Sequence, residues 1–582
     1  MRPASLRALA LVLGLLGGAA AQEPAGPLTP AGPAADGAAA VTSTTWRLRL
    51  GDREVGTEEA SVTPRAGGGW VVASRGDMRL TAEPFRFEQR LEVDAAGRPL
   101  AYRLDSRSLA FEVAPEGDDF VVRGQIMGNR QMRRVQGEGP WVCLDNLMSS
   151  HYDVLGKLLV DRREPLALRA LVPQALAGVA GTVRPGEPGV AHGPGGPRAT
   201  RAWALTLGNV LVHLDVDARD GRTYRMRVPA QRLEALRDGW TVGEGDAPGP
   251  VARGGALPEG AVEREVTIPG PACPLPGTLT LPAPGRAKPP VVLLLAGSGL
   301  QDRDETIGPN KPLRDLAHGL AARGVASLRY DRRTVVLVER LRAAGDGAEG
   351  EPARAEARAA LLAMTFADEV IDDAAAALTW LRAQPDVRGD ALFVAGHSLG
   401  AVAAPEVARA SPPVRGLATL AGPGRRLDAL MEEQITFQAT LTGLTEAEAR
   451  LRAKEALAPL AERGARLREE ESVMGASGRY WRDVLARDPV ALFGATDLPV
   501  LVLQGAADCQ VRRTDYDLLL GALEARPGGA QRGRVFPGLN HLFFAVEGPS
   551  TGAEYHEPGR MDPAVAEELA AWVRQVAGEG GR

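Results

Sequence analysis

Two patterns of hydrophobic residues divide the chain. Between residues 46 and 241, apolar and polar positions alternate in short runs such as 46–50 (Trp-Arg-Leu-Arg-Leu) and 91–93 (Leu-Glu-Val). Turn segments rich in glycine and aspartate separate these runs at intervals typical of strands. The alternation predicts an antiparallel, β-rich domain over 46–241, with a helical interruption around 150–180.

A different pattern begins near residue 259. Fully apolar runs alternate with helical stretches such as 367–383, and the runs occupy residues 291–295, 392–395, 417–420 and 500–503. Apolar runs of this kind suit strands that are buried on both faces of a parallel sheet. The pattern predicts a doubly wound, mostly parallel α/β domain over 259–582, with a charged helical cap at about 424–492. Residues 242–258 are rich in glycine and proline and are predicted to be a linker.

The N-terminus has the features of an export signal. Arg2 and Arg7 precede an apolar run at 8–16, and three alanines at 19–21 precede Gln22. This order predicts a signal peptide over 1–21, followed by a flexible leader over 22–45. The apolar run is shorter than the roughly 20 residues that span a bilayer, although an uncleaved anchor is the alternative. We therefore expect a secreted or periplasmic protein without a membrane span after cleavage.

Composition narrows the function classes. The 582 residues carry a net charge of −5, with 45% hydrophobic and 24% charged residues, as in ordinary soluble proteins. An acidic balance of this kind argues against nucleic acid as a partner. Three cysteines allow at most one disulfide, so we expect no disulfide framework.

A nucleophile motif follows the second apolar strand. Gly396-His397-Ser398-Leu399-Gly400 stands between the run at 392–395 and an alanine-rich helical stretch. Glycines at both ends permit the strained turn that raises a serine hydroxyl above the edge of a sheet. The motif predicts Ser398 as a nucleophile, and a plain glycine-rich turn is the alternative.

A serine nucleophile needs a base, and four histidines follow residue 259. His541 comes directly after a short strand at 534–536, on a loop that can reach over the edge of the sheet. His397 lies within the motif and is expected to point away from the hydroxyl. His318 is far upstream on a helix, and His556 is in a polar surface stretch. We therefore predict His541 as the base, with a buried structural histidine as the alternative.

The base in turn needs a carboxylate to orient it. Asp508 ends a strand that leads into a tight turn at the same edge, whereas Asp497 precedes that strand. Asp515 and Asp517 are expected on the exposed side of the next helix. The order Ser398, Asp508, His541 differs from the orders of the chymotrypsin and subtilisin types.

The oxyanion that forms during acyl transfer needs backbone N–H donors. Leu399, the residue after the nucleophile, is predicted to supply one donor. The loop after the run at 291–295 reads Ala-Gly-Ser-Gly, and we predict Ser298 as the second donor with Gly299 beside it.

These motifs resemble those of the bacterial α/β-hydrolase carboxylesterases related to the serine aminopeptidase and dienelactone hydrolase groups. The matching segments are 297–299 (Gly-Ser-Gly), 302–305 (Asp-Arg-Asp-Glu), 310–312 (Asn-Lys-Pro), 329–333 (Arg-Tyr-Asp-Arg-Arg), 371–374 (Ile-Asp-Asp-Ala), 396–400 and 540–543 (Asn-His-Leu-Phe). The resemblance covers about 260–580 and implies an α/β-hydrolase domain, an esterase with a helical cap over its pocket, and no metal or organic cofactor. Thr334 departs from the family, which commonly has glycine there. The β-rich half resembles no family that we recognise.

Two further clusters have plain structural interpretations. The interleaved charges of 302–305 are expected to form a network of ion pairs in a loop rather than a metal site. Cys509, next to Asp508, is expected to be a small buried residue rather than a second nucleophile.

The expected function is a serine hydrolase that cleaves small-molecule carboxylic esters. An aminopeptidase on the same fold is the first alternative, and it would need an acidic cluster for the free amino group, for which Glu432, Glu433 and 469–471 are the candidates. A binding protein with a relic hydrolase domain is the remote alternative. The sequence does not specify an oligomeric state, the natural substrate or the role of the β-rich domain.

Overall fold

A computed structural model describes residues 43–578, with gaps at 52, 80–83, 127–128, 137–138, 209, 244–255, 286, 345–349, 442–443, 462–466, 470–471 and 474–475. The predicted signal peptide, nearly all of the predicted leader and most of the predicted linker lie outside the described residues. The chain divides into two compact units. The first is Met1–Gly249 with Thr436–Arg452, and the second is Pro250–Ile435 with Ala453–Arg582.

In its described residues, the first unit contains one sheet of sixteen strands. They are β1 Ser43–Leu50, β2 Arg53–Pro64, β3 Trp70–Met78, β4 Phe85–Val93, β5 Pro99–Ser106, β6 Leu109–Glu116, β7 Asp119–Ile126, β8 Asn129–Val135, β9 Trp141–Cys143, β10 Leu166–Val172, β11 Ala177–Gly193, β12 Gly196–Leu207, β13 Val210–Asp217, β14 Thr223–Val228, β15 Leu233–Arg237 and β16 Thr241–Val242. The predicted antiparallel pairing is confirmed, except that β9 and β10 are parallel.

The strand order shows that this sheet curls on itself. Strands β1 to β8 form one meander and β10 to β15 form another, and the two join where β1 pairs with β15. The path ends at β8 on one side and β9 on the other, yet only residues 136–140 link these two strands. A link of this length spans at most about 18 Å, so the two edges must approach each other. Phe120 of β7 accordingly packs edge-on against Trp141 of β9, with ring centroids 5.1 Å apart.

The helical interruption is shorter than predicted. One α-helix, α1 His151–Leu159, interrupts the described strands, β10 begins at Leu166, and only a short 3-10 turn at Pro173–Ala175 follows β10. The prediction of helix up to residue 180 is therefore wrong. The run 166–172 (Leu-Ala-Leu-Arg-Ala-Leu-Val) is mostly apolar, and periodicity alone does not separate a short buried strand from a helix.

Buried polar groups fix α1 within the first unit. Glu58 is fully buried and accepts hydrogen bonds from the N–H of Ser149 at 2.7 Å and from the hydroxyl of Ser150 at 2.5 Å. Arg237 donates to both carboxylate oxygens of Asp153, at 2.7 and 2.8 Å. The helix also contributes Val154, Leu155 and Leu159 to the hydrophobic core of the sheet. Its position therefore depends on polar contacts as well as on apolar packing.

The second unit contains a mixed sheet of eight strands in its described residues. The strands are β17 Val262–Pro269, β18 Pro274–Leu281, β19 Val291–Leu295, β20 Ala326–Tyr330, β21 Leu392–His397, β22 Gly416–Leu420, β25 Val500–Gly505 and β26 Gln531–Phe536, with a separate pair β23 Ser472–Val473 and β24 Ala476–Ser477. The sheet order is β17-β18-β20-β19-β21-β22-β25-β26. Strand β18 pairs antiparallel with both its neighbours, and the remaining pairs are parallel. The apolar runs predicted as parallel strands are confirmed, whereas the strand orientation of the whole sheet is mixed.

The remaining α-helices belong to the second unit, except for the parts of two of them within Thr436–Arg452, which group with the first unit. They are α2 Pro312–Ala321, α3 Arg333–Ala343, α4 Glu351–Ala363, α5 Asp373–Arg382 after a π-helical turn Ala367–Asp372, α6 Leu399–Ala410, α7 Leu427–Leu441, α8 Glu446–Ala461, α9 Gly478–Leu485, α10 Pro489–Gly494, α11 Arg513–Glu524 and α12 Pro563–Val576. Alternate residues of β19 belong to two different hydrophobic clusters, with Leu293 in one and Leu294 in the other. The strand is thus buried on both faces, as its uninterrupted apolar sequence predicts.

Helices α7 to α10 occupy the segment predicted as a cap. Part of this segment, Thr436–Arg452, groups with the first unit and not with the sheet that flanks it in sequence. Among the helices that the structure describes, none is both long and apolar enough to cross a membrane.

Candidate active site

The predicted site residues follow four strands in the parallel part of the second unit's sheet. Ser398 directly follows β21, the loop with Ser298 follows β19, Asp508 follows β25 and His541 follows β26. These strands run parallel, so their carboxyl ends lie at one edge of the sheet. Binding and catalytic groups of open α/β sheets generally lie at this edge.

Ser398 has the strained backbone that a nucleophile elbow requires. Its φ is 50° and its ψ is −124°, a conformation that L residues rarely adopt. The turn is tight on both sides, because a Cβ on Gly396 would lie 2.4 Å from the carbonyl oxygen of Gly400. A Cβ on Gly400 would lie 2.4 Å from the carbonyl oxygen of Ala296. Glycine at both positions is therefore a steric requirement, and α6 begins at the next residue, Leu399.

Asp508 and His541 are joined by a hydrogen bond. His541 Nδ1 lies 2.8 Å from Asp508 Oδ2, and both side chains are buried. The carboxylate is held in turn by Gln504 Nε2 at 3.0 Å and by the N–H groups of Gln510 and Val511 at 2.8 and 2.9 Å. With Nδ1 committed to Asp508, Nε2 is the ring nitrogen that can exchange a proton with a substrate or a nucleophile.

The loop after β19 contacts the serine turn. A Cβ on Gly297 would lie 3.1 Å from Cβ of Ser398, so the backbone of this loop passes directly beside the proposed nucleophile. Ser298 and Gly299 are exposed, and Gly299 has a φ of 94°, which favours glycine. The N–H of Leu399 stands at the first turn of α6, where helix donors have no intrahelical acceptor. The loop that carries Ser298 thus lies beside Ser398, and Leu399 directly follows Ser398.

A buried glutamate–histidine pair lies behind these groups. His397 Nδ1 is 2.9 Å from Glu305 Oε1, and His397 Nε2 is 3.0 Å from the carbonyl oxygen of His541. Burial alone would raise the pKa of Glu305, but the charge of His397 and hydrogen bonds from His397 and Gly297 outweigh it, so the pKa is lowered. Burial also works against the charge on His397, yet Glu305 raises the pKa of His397 above its ordinary value.

Sequence reasoning missed this pair. Glu305 was expected within a loop network, and its three preceding charged neighbours do form one: Asp302 accepts from Thr306, Arg303 pairs with Asp331, and Asp304 pairs with Arg329 and Lys311. Glu305 instead pairs with His397, and its backbone has a φ of 55°. Nothing in the alternation of charges distinguishes it, whereas its place in the segment shared with the esterase motifs could have drawn attention to it.

Arg332 also reaches the loop after β19. Its Nη2 donates to the carbonyl oxygen of Ala296 at 2.6 Å, and its Nη1 lies 3.8 Å from Glu369 Oε2. Thr334, the departure from the family pattern, donates its hydroxyl to Glu369. The hydroxyl of Tyr480 reaches the same carboxylate at 3.1 Å. Thr334 therefore belongs to a polar cluster around Glu369 that a glycine could not join.

The other residues considered in the sequence analysis make contacts that support the fold. Cys509 is a free thiol that accepts a hydrogen bond from Ser550 at 3.4 Å. His318 bonds to Glu263 at 2.9 Å. Asp515, expected on an exposed face, is instead buried and pairs with Arg425 at 2.7 Å, because it caps the start of α11 and anchors the 424–425 backbone. Within the described residues, no group of three or more histidine, cysteine or acidic side chains is arranged to hold a metal ion.

Comparison with known proteins identifies the family of this chain. Esterase EstD of Thermotoga maritima is 35% identical over 316 residues, which cover 54% of this chain and 68% of the relative. The chain belongs to this family of α/β-hydrolase esterases. No family model matches the chain.

Solved structures also overlap with this esterase chain. An esterase domain of a Rhodothermus marinus protein is 18% identical, covers 54% of this chain and 98% of its own, and has a TM-score of 0.31. A puromycin-hydrolysing peptidase of Mycobacterium tuberculosis is 15% identical, covers 90% of this chain and 72% of its own, and has a TM-score of 0.34. At such low scores, neither likeness separates esterase from peptidase activity in this esterase family member.

Proposed function

We propose that the protein hydrolyses carboxylic esters of small molecules through an acyl-enzyme formed on Ser398, with His541 as base and Asp508 as its partner. The observation that carries the proposal is the buried 2.8 Å hydrogen bond between Asp508 and His541 at the sheet edge that also presents the strained turn of Ser398. Ser398, Asp508 and His541 follow three different strands whose carboxyl ends lie at that edge. The esterase relative supports the same reaction.

The reaction follows from the roles of these groups. Ser398 Oγ attacks the ester carbonyl carbon while His541 Nε2 takes its proton, and Asp508 holds the ring and stabilises the imidazolium. The carbonyl oxygen becomes an oxyanion, which the N–H groups of Ser298 and Leu399 stabilise. His541 then protonates the departing alcohol. A water molecule, activated by the same base, attacks the acyl-enzyme and releases the acid.

Two of the candidate acidic residues, Glu433 and Glu469, favour an ester over a peptide substrate. An aminopeptidase needs unpaired carboxylates for the substrate's amino group, but Glu433 pairs with Arg425 and, at 3.3 Å, with Arg512. Glu469 likewise pairs with Arg479 and, at 3.2 Å, with Arg482. Residues 470–471 lie outside the described residues. The candidate carboxylates that the structure describes at 433 and 469 are thus already neutralised by arginines.

The test compares two substrate series on one enzyme. We expect p-nitrophenyl esters to be hydrolysed with kcat/KM at least about 10²-fold above that for aminoacyl p-nitroanilides, and a fluorophosphonate to label Ser398 once per chain. Mass spectrometry of the labelled peptide identifies the serine. Turnover of anilides above that of esters would favour the peptidase, and absence of both turnover and labelling would favour a relic domain.

We also propose that the protein acts outside the cytoplasm, since residues 1–21 have the order of a signal peptide. N-terminal sequencing of the protein recovered from the periplasm or medium of an expressing cell should then begin at Gln22. Recovery of the full-length chain in the cytoplasm alone would contradict export.

A further inference from the structure

The peptide group between Ala296 and Gly297 is held at both ends by buried charges. Its carbonyl oxygen accepts from Arg332 Nη2 at 2.6 Å, and its N–H donates to Glu305 Oε1 at 2.6 Å. Arg332 is 4% exposed and Glu305 is 1% exposed. Hydrogen bonds to ionised groups are roughly twice as strong as those between neutral groups. The cation faces the negative end of the peptide dipole and the anion faces the positive end, so both contacts favour one orientation.

This peptide sets the direction of the next one. The following N–H belongs to Ser298, which the proposed mechanism uses as an oxyanion donor. Rotation of the Ala296–Gly297 peptide would break both charged hydrogen bonds at once and would also swing the Ser298 N–H. Oxyanion stabilisation depends on donors that are already aimed where the charge develops, so a fixed peptide here has a direct effect on rate.

The same carboxylate is connected to the base. Oε1 of Glu305 accepts from His397 Nδ1 as well, and His397 Nε2 donates to the carbonyl oxygen of His541. A carboxylate and a carbonyl oxygen can only accept, so both ring nitrogens of His397 must carry protons. His397 is therefore an imidazolium, with its ring centroid 4.7 Å from that of His541. One carboxylate thus joins the oxyanion loop, the elbow and the base loop.

We propose that Glu305 is a positioning residue for the reaction: with Arg332 it fixes the Ala296–Gly297 peptide that aims the oxyanion donor, and through His397 it holds the backbone of His541. This inference rests on the proposed serine mechanism. The left-handed backbone of Glu305 fits such a role, because a non-glycine residue keeps this conformation only where its surroundings fix it.

The decisive variant is Glu305→Gln, which keeps the shape of the side chain and removes its charge. The matched control is Asp304→Asn in the same loop, because Asp304 contacts Arg329 and Lys311 and no part of the oxyanion loop. Each full-length variant is assayed on a p-nitrophenyl ester and with an alkyl boronic acid, which forms a tetrahedral adduct on the serine.

We expect Glu305→Gln to lower kcat by about 10²-fold or more with KM within about threefold, as for other losses of oxyanion stabilisation. Boronate affinity should fall by the same factor as kcat/KM. Asp304→Asn should lower the melting temperature but leave kcat and boronate affinity within about threefold of the wild type. If kcat of Glu305→Gln stays within threefold of the wild type, or if both variants lose the same factor, Glu305 has no positioning role.

A measurement on the unaltered protein keeps the inference testable if Glu305→Gln does not fold. In protein labelled with ¹⁵N-histidine, His397 should show two slowly exchanging ring N–H protons and imidazolium nitrogen shifts at neutral pH, assigned by their loss in His397→Gln. A neutral His397 ring would overturn the inference while leaving the serine mechanism intact. Absence of ester turnover and of fluorophosphonate labelling in the wild type would instead remove the proposed function, and this inference with it.

Discussion

Glu58 in the first unit and Glu305 in the second are both almost completely buried, and the pKa values of these two glutamates are shifted in opposite directions. In the first unit, burial raises the pKa of Glu58, although hydrogen bonds from Ser150, Ser74 and two backbone N–H groups oppose the shift. In the second unit, the charge of His397 and its hydrogen bond more than offset burial, so the pKa of Glu305 is lowered. The neutral donors around Glu58 thus do not offset the effect of burial on its pKa, whereas the cation beside Glu305 does.

Two buried histidines show the same contrast. His151 accepts from the N–H of Asp145 at 3.1 Å and faces Gln89 Oε1 at 3.3 Å, so its ring meets one donor and one acceptor and is neutral. Burial lowers the pKa of His151 to about 3. His397 meets two acceptors and is charged. At the proposed reaction site, Glu305 and His397 thus support each other's charge, whereas Glu58 and His151 have no such partner in the described part of the first unit.

The largest change in activity is expected when the proposed nucleophile of the second unit is removed. Ser398→Ala should lower kcat on activated esters by about 10⁴-fold or more with little change in stability, because the hydroxyl is the attacking group. Ser411→Ala, at the other end of α6, should leave kcat unchanged. If Ser398→Ala retained a tenth of wild-type activity, the second unit would not owe its activity to this site.

The next largest effect should come from the charge beside the base. Asp508→Asn should lower kcat by about 10³-fold, because the amide cannot stabilise the imidazolium and favours the wrong tautomer. The exposed Asp497, before the same strand, supplies the control Asp497→Asn, which should behave as wild type in the same steady-state assay. Equal activity of Asp508→Asn and wild type would mean that retained charge has no part in the chemistry.

The two buried glutamates predict different dependences of stability on pH. Because the folded pKa of Glu58 is raised, the wild type loses stability as pH rises from the ordinary value of 4.5 through the folded value. Gln at position 58 can accept both backbone hydrogen bonds and donate to Ser150, and it has no charge to bury. Relative to wild type, Glu58→Gln should therefore gain stability as pH rises above 4.5, and the gain should level off once pH passes the folded pKa of Glu58.

For Glu305→Gln, the loss of stability relative to wild type should instead pass through a maximum as pH changes. The lowered pKa of Glu305 provides stability above 4.5 that is lost as pH falls through its folded pKa. The raised pKa of His397 provides stability below 6.5 that is lost as pH rises through its folded pKa. The destabilisation by Glu305→Gln should thus be greatest between these two ordinary values. Calorimetric melting of both full-length variants from pH 4 to pH 9 measures the two profiles, and profiles of one shape would contradict the distinction.

The smallest effect on stability is expected for Glu59, which follows Glu58 and lies on the opposite face of β2. Glu59 pairs with Arg75 at 2.6 Å, but the two side chains are 50% and 72% exposed. Exposed pairs of this kind contribute about 0–1 kcal/mol. Glu59→Gln should shift the melting temperature by no more than about 2 °C at any pH, given the size of the chain. A shift in melting temperature as large as that of Glu58→Gln would show that burial of the glutamate does not determine how much its replacement changes stability.

Sequence was most informative where local physics is decisive. The apolar runs of β19, β21, β22 and β25 need burial on both faces, and the predicted and observed strands agree within two residues at each end. The glycines on either side of Ser398 were likewise informative, because the tight turn leaves no room for a larger side chain at either position.

The features that the sequence did not predict depend on contacts between residues far apart in the chain. Glu305 meets a histidine 92 positions away, and a run of alternating charges does not indicate which member turns inward. The curl of the first sheet depends on pairing between β1 and β15, and the grouping of Thr436–Arg452 depends on packing far from it in sequence. The roles of Ser398, Asp508 and His541 stay predictions until they are measured.

The pairing of β1 with β15 also delays the completion of the sheet during synthesis of the chain. β1 ends at Leu50 and β15 begins at Leu233, so one side of β1 has no partner until about 180 further residues have been made. At roughly 5–20 residues per second, synthesis takes about 10–40 s to cover that distance. During this interval β1 presents an open edge, and open edges recruit other strands. The nascent chain is therefore most prone to associate with its copies before β15 emerges, and a chaperone that covers β1 in that interval would raise the yield of folded protein.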